Sequence, residues 1–88
     1  MLEREFTIKN RLGLHARAAA QLVQTANKFK AEVTLVKDDV EVNGKSIMGI
    51  LLLAAPQGTD ISVLVSGADE EQAMDVIAQL IEDGFGED

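Results

Sequence analysis

Cysteine is absent from this sequence of 88 residues, and histidine occurs only once. The lack of cysteine excludes disulfide bonds, thiol nucleophiles and zinc–thiolate sites, so packing alone must hold the core together. A single histidine also leaves no histidine pair for a metal site. We therefore expect a cytoplasmic protein that works without a metal ion or any other cofactor.

Long hydrophobic runs are missing as well. The longest apolar run covers residues 50–56, whereas a membrane-spanning helix needs about 20 apolar residues. Residues 1–5 are acidic and mixed, while an export signal begins with a basic stretch followed by an apolar one. The sequence predicts neither an export signal nor a membrane anchor.

Basic residues are absent from the second half of the chain. Positions 1–45 hold eight basic and six acidic residues, whereas positions 46–88 hold nine acidic residues and no basic one. The net charge of −7 argues against a nucleic-acid partner, because phosphate backbones are bound mainly by accumulated lysine and arginine. The only histidine lies in the more basic half. A locally basic surface there suits a phosphoryl group or an acidic patch on a protein partner.

Hydrophobic periodicity predicts the element order βαββαβα. Apolar side chains stand two apart at Phe6 and Ile8, which indicates a strand over about residues 2–8. The same alternation recurs over 33–36, 40–42 and 61–65. Asp38–Asp39 provides the turn of a hairpin between the second and third strands.

Three further segments have helical character. The first helix begins just after His15 and ends near Asn27–Lys28, the second follows Ser46, and the third opens at Asp69, with acidic residues that suit a helix N-terminus. The expected buried stripes are Ala19, Leu22, Val23 and Ala26 on the first helix and Ala73, Val76, Ile77 and Leu80 on the third. This order predicts one domain over residues 1–88 with an α+β open-faced sandwich, in which a four-stranded antiparallel sheet carries three helices on one face.

His15 stands where a glycine-containing loop enters the first predicted helix. The backbone N–H groups of Ala16, Arg17 and Ala18 belong to the first turn, where they lack intrahelical partners and can bind an anion. The guanidinium of Arg17 adds a permanent charge suited to phosphate oxygens. Neutral imidazole is a good nucleophile, and the N–P bond it forms remains reactive. The pattern predicts a phosphoryl carrier; the alternative is that His15 only caps the helix and Arg17 is solvated.

Two segments resemble the motifs of the HPr family of the bacterial phosphoenolpyruvate-dependent sugar phosphotransferase system. Residues 13–17, Gly-Leu-His-Ala-Arg, resemble its phosphorylation motif, and residues 44–49, Gly-Lys-Ser-Ile-Met-Gly, resemble the motif around its regulatory serine. The resemblance runs essentially end to end. It implies a phosphocarrier without turnover of its own, which takes phosphate from phospho-Enzyme I on Nδ1 of His15 and donates it to EIIA. One departure is Ala18, where the family usually has proline; a fixed φ is lost and a backbone N–H is gained.

Ser46 and the short helix after it form the second region of interest. Ser46 suits a helix N-cap, and the resemblance implies its phosphorylation by an ATP-dependent HPr kinase/phosphorylase. The helix is apolar all round: Ile50 and Leu53 can face the core, which leaves other apolar side chains for a partner. The resemblance implies that Enzyme I and EIIA bind the carrier, expected to be a monomer, on a surface made of Ala16, Arg17, Ala20, Ile47, Met48 and Leu51.

Two other functions are compatible with parts of the sequence. A regulatory member of the nitrogen-related branch of the family keeps the histidine, and the tail Gly84–Asp88 is similar to that branch. A hydrolase or transferase that uses His15 as a general base needs further catalytic groups, and the sequence by itself places no acidic residue near the histidine loop. The phosphocarrier is the function that the residues favour.

Overall fold

Four strands and three helices make up the computed structural model, which describes residues 1–87. Their bounds are β1 Leu2–Thr7, α1 Ala16–Ala26, β2 Glu32–Lys37, β3 Val40–Asn43, α2 Ile47–Leu53, β4 Asp60–Ser66 and α3 Glu70–Glu82. A short 3₁₀ turn, Gly84–Gly86, follows the last helix. The predicted order βαββαβα and the α+β fold are confirmed. Within residues 1–87, no helix is both long and apolar enough to cross a bilayer.

The strands form one antiparallel sheet in the order β1-β4-β2-β3. The register sets Phe6 opposite Ile61 and Leu35 opposite Val63, so apolar side chains from neighbouring strands line the same face. These four side chains are all buried. Because side chains alternate across a strand, the opposite face carries mostly polar and charged residues, such as Glu3, Glu5 and Ser62, and no helix within residues 1–87 covers it. The sheet therefore buries one face only, as an open-faced sandwich requires.

The first two helices bury the faces that their spacing predicts. On α1, Ala19, Leu22 and Ala26 are fully buried, while Val23 is only half-buried at the edge of the stripe. On α2, the buried residues are Ile50 and Leu53. The small alanines allow α1 to pack closely against its neighbours. The first residues of α1 and α2 are exposed on the helical side of the molecule.

The buried stripe predicted for α3 is partly wrong. Val76 is 37% exposed and Leu80 is half-buried. The buried residues of α3 are Ala73, Met74, Ile77, Ala78 and Ile81. Apolar residues on this helix occupy an arc wider than one stripe, and packing against the sheet and against the buried Phe85 selects the side that includes Met74 and Ile81.

Asp69 stands at the N-cap position of α3, but its side chain makes no capping hydrogen bond. Its carboxylate oxygens accept hydrogen bonds from the backbone N–H groups of Lys30 and Ala31, both at 2.9 Å, and so join the loop before β2 to the start of α3. The Lys30 bond is the largest cause that lowers the pKa of Asp69; partial burial opposes it, and the Ala31 bond lowers the pKa further. Asp69 is therefore a tertiary link between two loops.

Asp69→Asn should destabilise the protein at neutral pH. A carboxyl whose folded pKa lies below its unfolded value of about 3.9 stabilises the fold above that pH, and the contribution is lost as pH falls through the lowered pKa. The difference in unfolding free energy between wild type and Asp69→Asn should thus be full at pH 7 and shrink below about pH 4. Denaturant unfolding across this pH range measures it, and Asp75→Asn on the exposed side of α3 is the matched control. A constant difference at all pH values would contradict the assignment.

Candidate functional site

The loop before α1 is anchored to the segment that follows α2. Leu14 is buried, and its backbone N–H donates to the carbonyl of Ala55 at 2.9 Å. Gly13 has a φ of +68°, and its N–H donates to the carbonyl of Asn10. The left-handed conformation at Gly13, which glycine adopts at little cost, turns the chain. As a consequence, His15 stands at the start of the helix.

His15 is the N-cap of α1. Its backbone is extended, with φ −82° and ψ −179°, and its ring Nδ1 accepts the backbone N–H of Arg17 at 3.3 Å. The side chain is 27% exposed. The capping role considered from the sequence is thus present. It does not remove the ring from solvent, and it directs Nδ1 to the N-terminus of the helix.

Glu87 occupies the other side of the imidazole ring. Its Oε2 lies 2.5 Å from Nε2 of His15, and its side chain is 15% exposed. Because Nδ1 accepts a hydrogen bond, the network assigns the proton of the neutral ring to Nε2, which donates it to the carboxylate. The lone pair of the histidine therefore lies on Nδ1, facing the backbone amides of α1.

Asn10 holds the carboxylate of Glu87 in place. It is 1% exposed, and its Nδ2 donates to Oε1 of Glu87 at 2.9 Å and to the carbonyl of Gly13 at 2.7 Å. The Asn10 bond is the largest cause that lowers the pKa of Glu87; partial burial raises it, and the bond to His15 and the charge of Arg17 lower it further. Glu87 is therefore a carboxylate at neutral pH, bonded through both oxygens.

A left-handed turn brings Glu87 to this position. Gly84, Phe85 and Gly86 have φ values of +64°, +57° and +73°, which reverse the chain at the end of α3. Phe85 is 2% exposed, and its burial offsets the cost of a positive φ for a residue with a side chain.

The sequence by itself places no acidic residue near the histidine loop, but the structure brings Glu87 there. Glu87 is 72 positions away from His15, and no local pattern joins the two. The one local signal that bears on the position of Glu87 is the sequence Gly84-Phe85-Gly86, since glycines that flank an aromatic residue indicate a tight turn anchored in the core.

An open cleft of about 760 Å³ borders the histidine. It is lined by Arg11, Leu12, His15, Ala16, Arg17, Gly86 and Glu87. Arg11 was not expected here; with Arg17, it makes the cleft wall basic. None of these seven residues carries a hydroxyl group, so the carboxylate–imidazole pair is not part of a serine-type triad.

The N–H groups predicted to bind a phosphoryl group lie at the start of α1. Ala16 and Arg17 are exposed, whereas Ala18 is fully buried. Within residues 1–87, the amides of Ala16 and Ala18 donate to no backbone carbonyl. The first turn of α1 thus retains free donors beside Nδ1 of His15.

The second predicted region, α2, lies against α1. The Oγ of Ser46 accepts the backbone N–H of Gly49 at 3.0 Å, which confirms the predicted cap. Ile47, Met48 and Leu51 are 41%, 76% and 40% exposed. Leu52, at 75%, lies four positions after Met48, the spacing of one helical turn, and belongs with them although it was not predicted. Ala20 on α1 is half-buried.

Comparisons with known proteins cover nearly the whole chain. Residues 2–83 match the family model described as PTS HPr component phosphorylation site. Phosphocarrier protein HPr of Xylella fastidiosa is 56% identical over 88 residues, which cover 100% of this chain and 99% of that protein. Phosphocarrier protein NPr of Shewanella violacea is 42% identical over 86 residues, 98% of this chain and 94% of its own. The crystal structure of HPr-C-His from Thermoanaerobacter tengcongensis has 48% identity and a TM-score of 0.96, with 100% of this chain and 99% of that chain covered.

Proposed function

Because this chain belongs to the HPr family of phosphocarrier proteins of the phosphotransferase system, we propose that it takes a phosphoryl group on His15 from phospho-Enzyme I and donates it to the EIIA component of a sugar transporter. The observation that carries this proposal is the orientation of His15. Its Nε2 is bonded to Glu87, and its Nδ1 faces the amides of α1. Every group of this site lies in one chain, so a monomer suffices for the transfer.

The proposed transfer uses the lone pair of Nδ1. This nitrogen attacks the phosphorus, and the bond between phosphorus and the donor atom of phospho-Enzyme I breaks, with its electron pair remaining on that atom. The backbone N–H of Arg17, now 3.3 Å from Nδ1, is then free to donate to a phosphoryl oxygen. Because attack and departure are the same step in reverse, the geometry that accepts the group also serves to pass it on.

The first turn of α1 supplies the stabilisation of the transferred group. The unpaired amides of Ala16 and Ala18 point to the end of the helix that favours an anion, an interaction worth about 0.3 to 1 kcal/mol at an exposed site. The exposed guanidinium of Arg17 adds a charged hydrogen-bond donor. Alanine at position 18, in place of the proline usual in the family, contributes one of these amides.

Incubation with phosphoenolpyruvate and Enzyme I tests the proposal. We expect intact-mass spectrometry to show one added phosphoryl group, which is lost in acid as expected for a phosphohistidine. Addition of an EIIA domain should remove it from the carrier. A wild-type chain that gains no phosphoryl group would contradict the proposal.

The nitrogen-related branch is the second candidate, because NPr of Shewanella violacea is 42% identical over nearly the whole chain. In that case the chain serves regulation as a phosphorylation-dependent binding module. The discriminating measurement compares the phosphorylation rates given by the Enzyme I proteins of the sugar and nitrogen systems. The motif around Ser46 favours the sugar system, so we expect the faster rate there.

We assign partner docking to the surface of Ala16, Arg17, Ala20, Ile47, Met48 and Leu51, to which the exposed Leu52 is added. Met48 and Leu52 project most, and a methionine adapts readily to different partners. The apolar part of this surface and the basic cleft of His15 lie on adjoining helices. One partner face can therefore contact both at once.

Ser46→Asp should weaken docking without unfolding the chain. Aspartate is as good an N-cap as serine, and its charge is favourable at a helix N-terminus. It adds negative charge beside a surface that binds an acidic partner, so we expect KM for Enzyme I to rise roughly three- to ten-fold through slower association, with kcat little changed. Steady-state phosphotransfer measures both constants. HPr kinase with ATP should place an acid-stable phosphate on Ser46 with the same effect.

Gln79→Glu is the matched control, because Gln79 is exposed on α3 beside Arg4 of β1, and β1 lies at the opposite edge of the sheet from β3, the strand that precedes α2. It adds the same charge away from α2 and should leave KM unchanged. Equal KM values for the two variants would contradict a docking role for the Ser46 region.

A further inference from the structure

We propose that Glu87, held by Asn10, is a positioning residue for phosphoryl transfer, which acts by accepting a hydrogen bond from the protonated Nε2 of His15 while Nδ1 bonds to phosphorus. This inference rests on the proposed function. It gives the turn after α3 a part in the chemistry of the histidine loop.

The geometry of the pair is that of a charge-assisted hydrogen bond. Oε2 of Glu87 lies 2.5 Å from Nε2 of His15, and the two side chains are only 15% and 27% exposed. Hydrogen bonds to an ionised partner are shorter and stronger than neutral ones. Limited solvent access preserves that strength, since water competes less for either group.

The bond matters because phosphorylation changes the charge of the ring. When the lone pair of Nδ1 forms the N–P bond, the proton stays on Nε2 and the imidazole of His15 becomes cationic. The carboxylate of Glu87 faces that charge directly. A carboxylate that orients and stabilises an imidazolium is the arrangement by which Asp assists His in hydrolytic triads; here the nucleophile is the ring itself.

Two anchors show that the carboxylate is placed and not merely nearby. Asn10 is buried, and one amide group bonds both Oε1 of Glu87 and the carbonyl of Gly13 in the histidine loop. On the other side, Phe85 is buried in the core two residues before Glu87. The carboxylate is thus tied to the same loop that carries His15 and to the interior of the protein.

Glu87→Gln is the informative variant. Glutamine keeps the size of glutamate but has one acceptor oxygen, so it cannot accept from both Asn10 and His15 through separate oxygens. We expect kcat for phosphorylation by Enzyme I to fall about ten-fold, which corresponds to the loss of one charge-assisted hydrogen bond. KM should not change, because Glu87 lies outside the docking surface. Glu82→Gln on the exposed side of α3 is the matched control and should resemble wild type.

The proton on Nε2 gives a readout that needs no phosphoryl donor. Nitrogen-15 and proton NMR of His15 should show a proton on Nε2, shifted downfield by the carboxylate, in wild type and Glu82→Gln. In Glu87→Gln the resonance should move upfield. Asn10→Ala should also lower kcat, because it releases both Oε1 of Glu87 and the carbonyl of Gly13 in the histidine loop.

The outcomes separate this inference from the proposed function. Unchanged kcat and an unchanged Nε2 proton in a folded Glu87→Gln variant would overturn the role of Glu87 while the phosphocarrier function stands. A drop in thermal stability with no change in kcat would also overturn it, since a merely structural contact behaves that way. A wild-type chain that accepts no phosphoryl group would overturn both.

Discussion

His15→Ala should take up no phosphoryl group from phosphoenolpyruvate and Enzyme I, under conditions that fully phosphorylate the wild type. The substitution removes the only imidazole in the chain, and the free amides of α1 can stabilise a phosphoryl group but cannot form a bond to phosphorus. Intact-mass spectrometry measures the loss directly. Uptake by His15→Ala equal to that of the wild type would mean that another residue carries the group.

His15→Asn controls for the structural part of this residue. Histidine also caps α1, and loss of a cap costs about 0.5 to 2 kcal/mol. Asparagine is a good N-cap but is not a nucleophile of this kind, so His15→Asn should keep the cap of α1, fold, and still take up no phosphoryl group. Restored uptake in His15→Asn would be inconsistent with chemistry at the ring.

Gly13→Ala should be the most destabilising of the substitutions considered. A Cβ at this position would lie 2.5 Å from the carbonyl oxygen of Ala55 and 2.8 Å from Cα of Pro56. Both are backbone atoms, so the clash cannot be relieved by a side-chain rotation, and the positive φ adds strain. We expect the unfolding free energy to fall by about 2 to 4 kcal/mol, measured by denaturant unfolding. Phosphotransfer should slow as well, because the clash breaks the Leu14 anchor of the histidine loop.

Gly58→Ala distinguishes the clash from the backbone strain. Gly58 also has a positive φ, +89°, but a Cβ there meets nothing within 4 Å. It should cost about 1 kcal/mol, the penalty of the left-handed conformation alone. Equal losses of unfolding free energy for Gly13→Ala and Gly58→Ala would show that the clash with Ala55 and Pro56 does not contribute to the destabilisation.

The fold could be predicted because each element carries its own local signal. Short stretches are specified by the alternation at Phe6 and Ile8, by the Asp38–Asp39 turn and by the cap at Ser46. Together these stretches determine the two-layer arrangement. The prediction for α3 was partly wrong for the same reason. Its apolar residues permit two neighbouring stripes, and only the packing of the whole core excludes Val76.

The site could be predicted only as far as it is local. The position of His15 at a helix start, and of Arg17 in the first turn, follows from spacing within a few residues. Glu87 and Asn10 could not be predicted, because their meeting depends on the length of α3, on the sheet register and on a turn with three positive φ values. Contacts between distant positions are set by tertiary structure, and a single sequence does not display them.

The left-handed turn at Gly84–Gly86 also affects when the site becomes complete. A chain is synthesised from its N-terminus, so His15 emerges before Glu87, which follows it by 72 positions. The loop closure that joins them spans 72 positions and cannot precede the synthesis of α3 and the docking of Phe85. A chain in which α3 has not yet been made or folded therefore has the histidine without its carboxylate, and we expect the paired site to form only when the segment after α3 has folded.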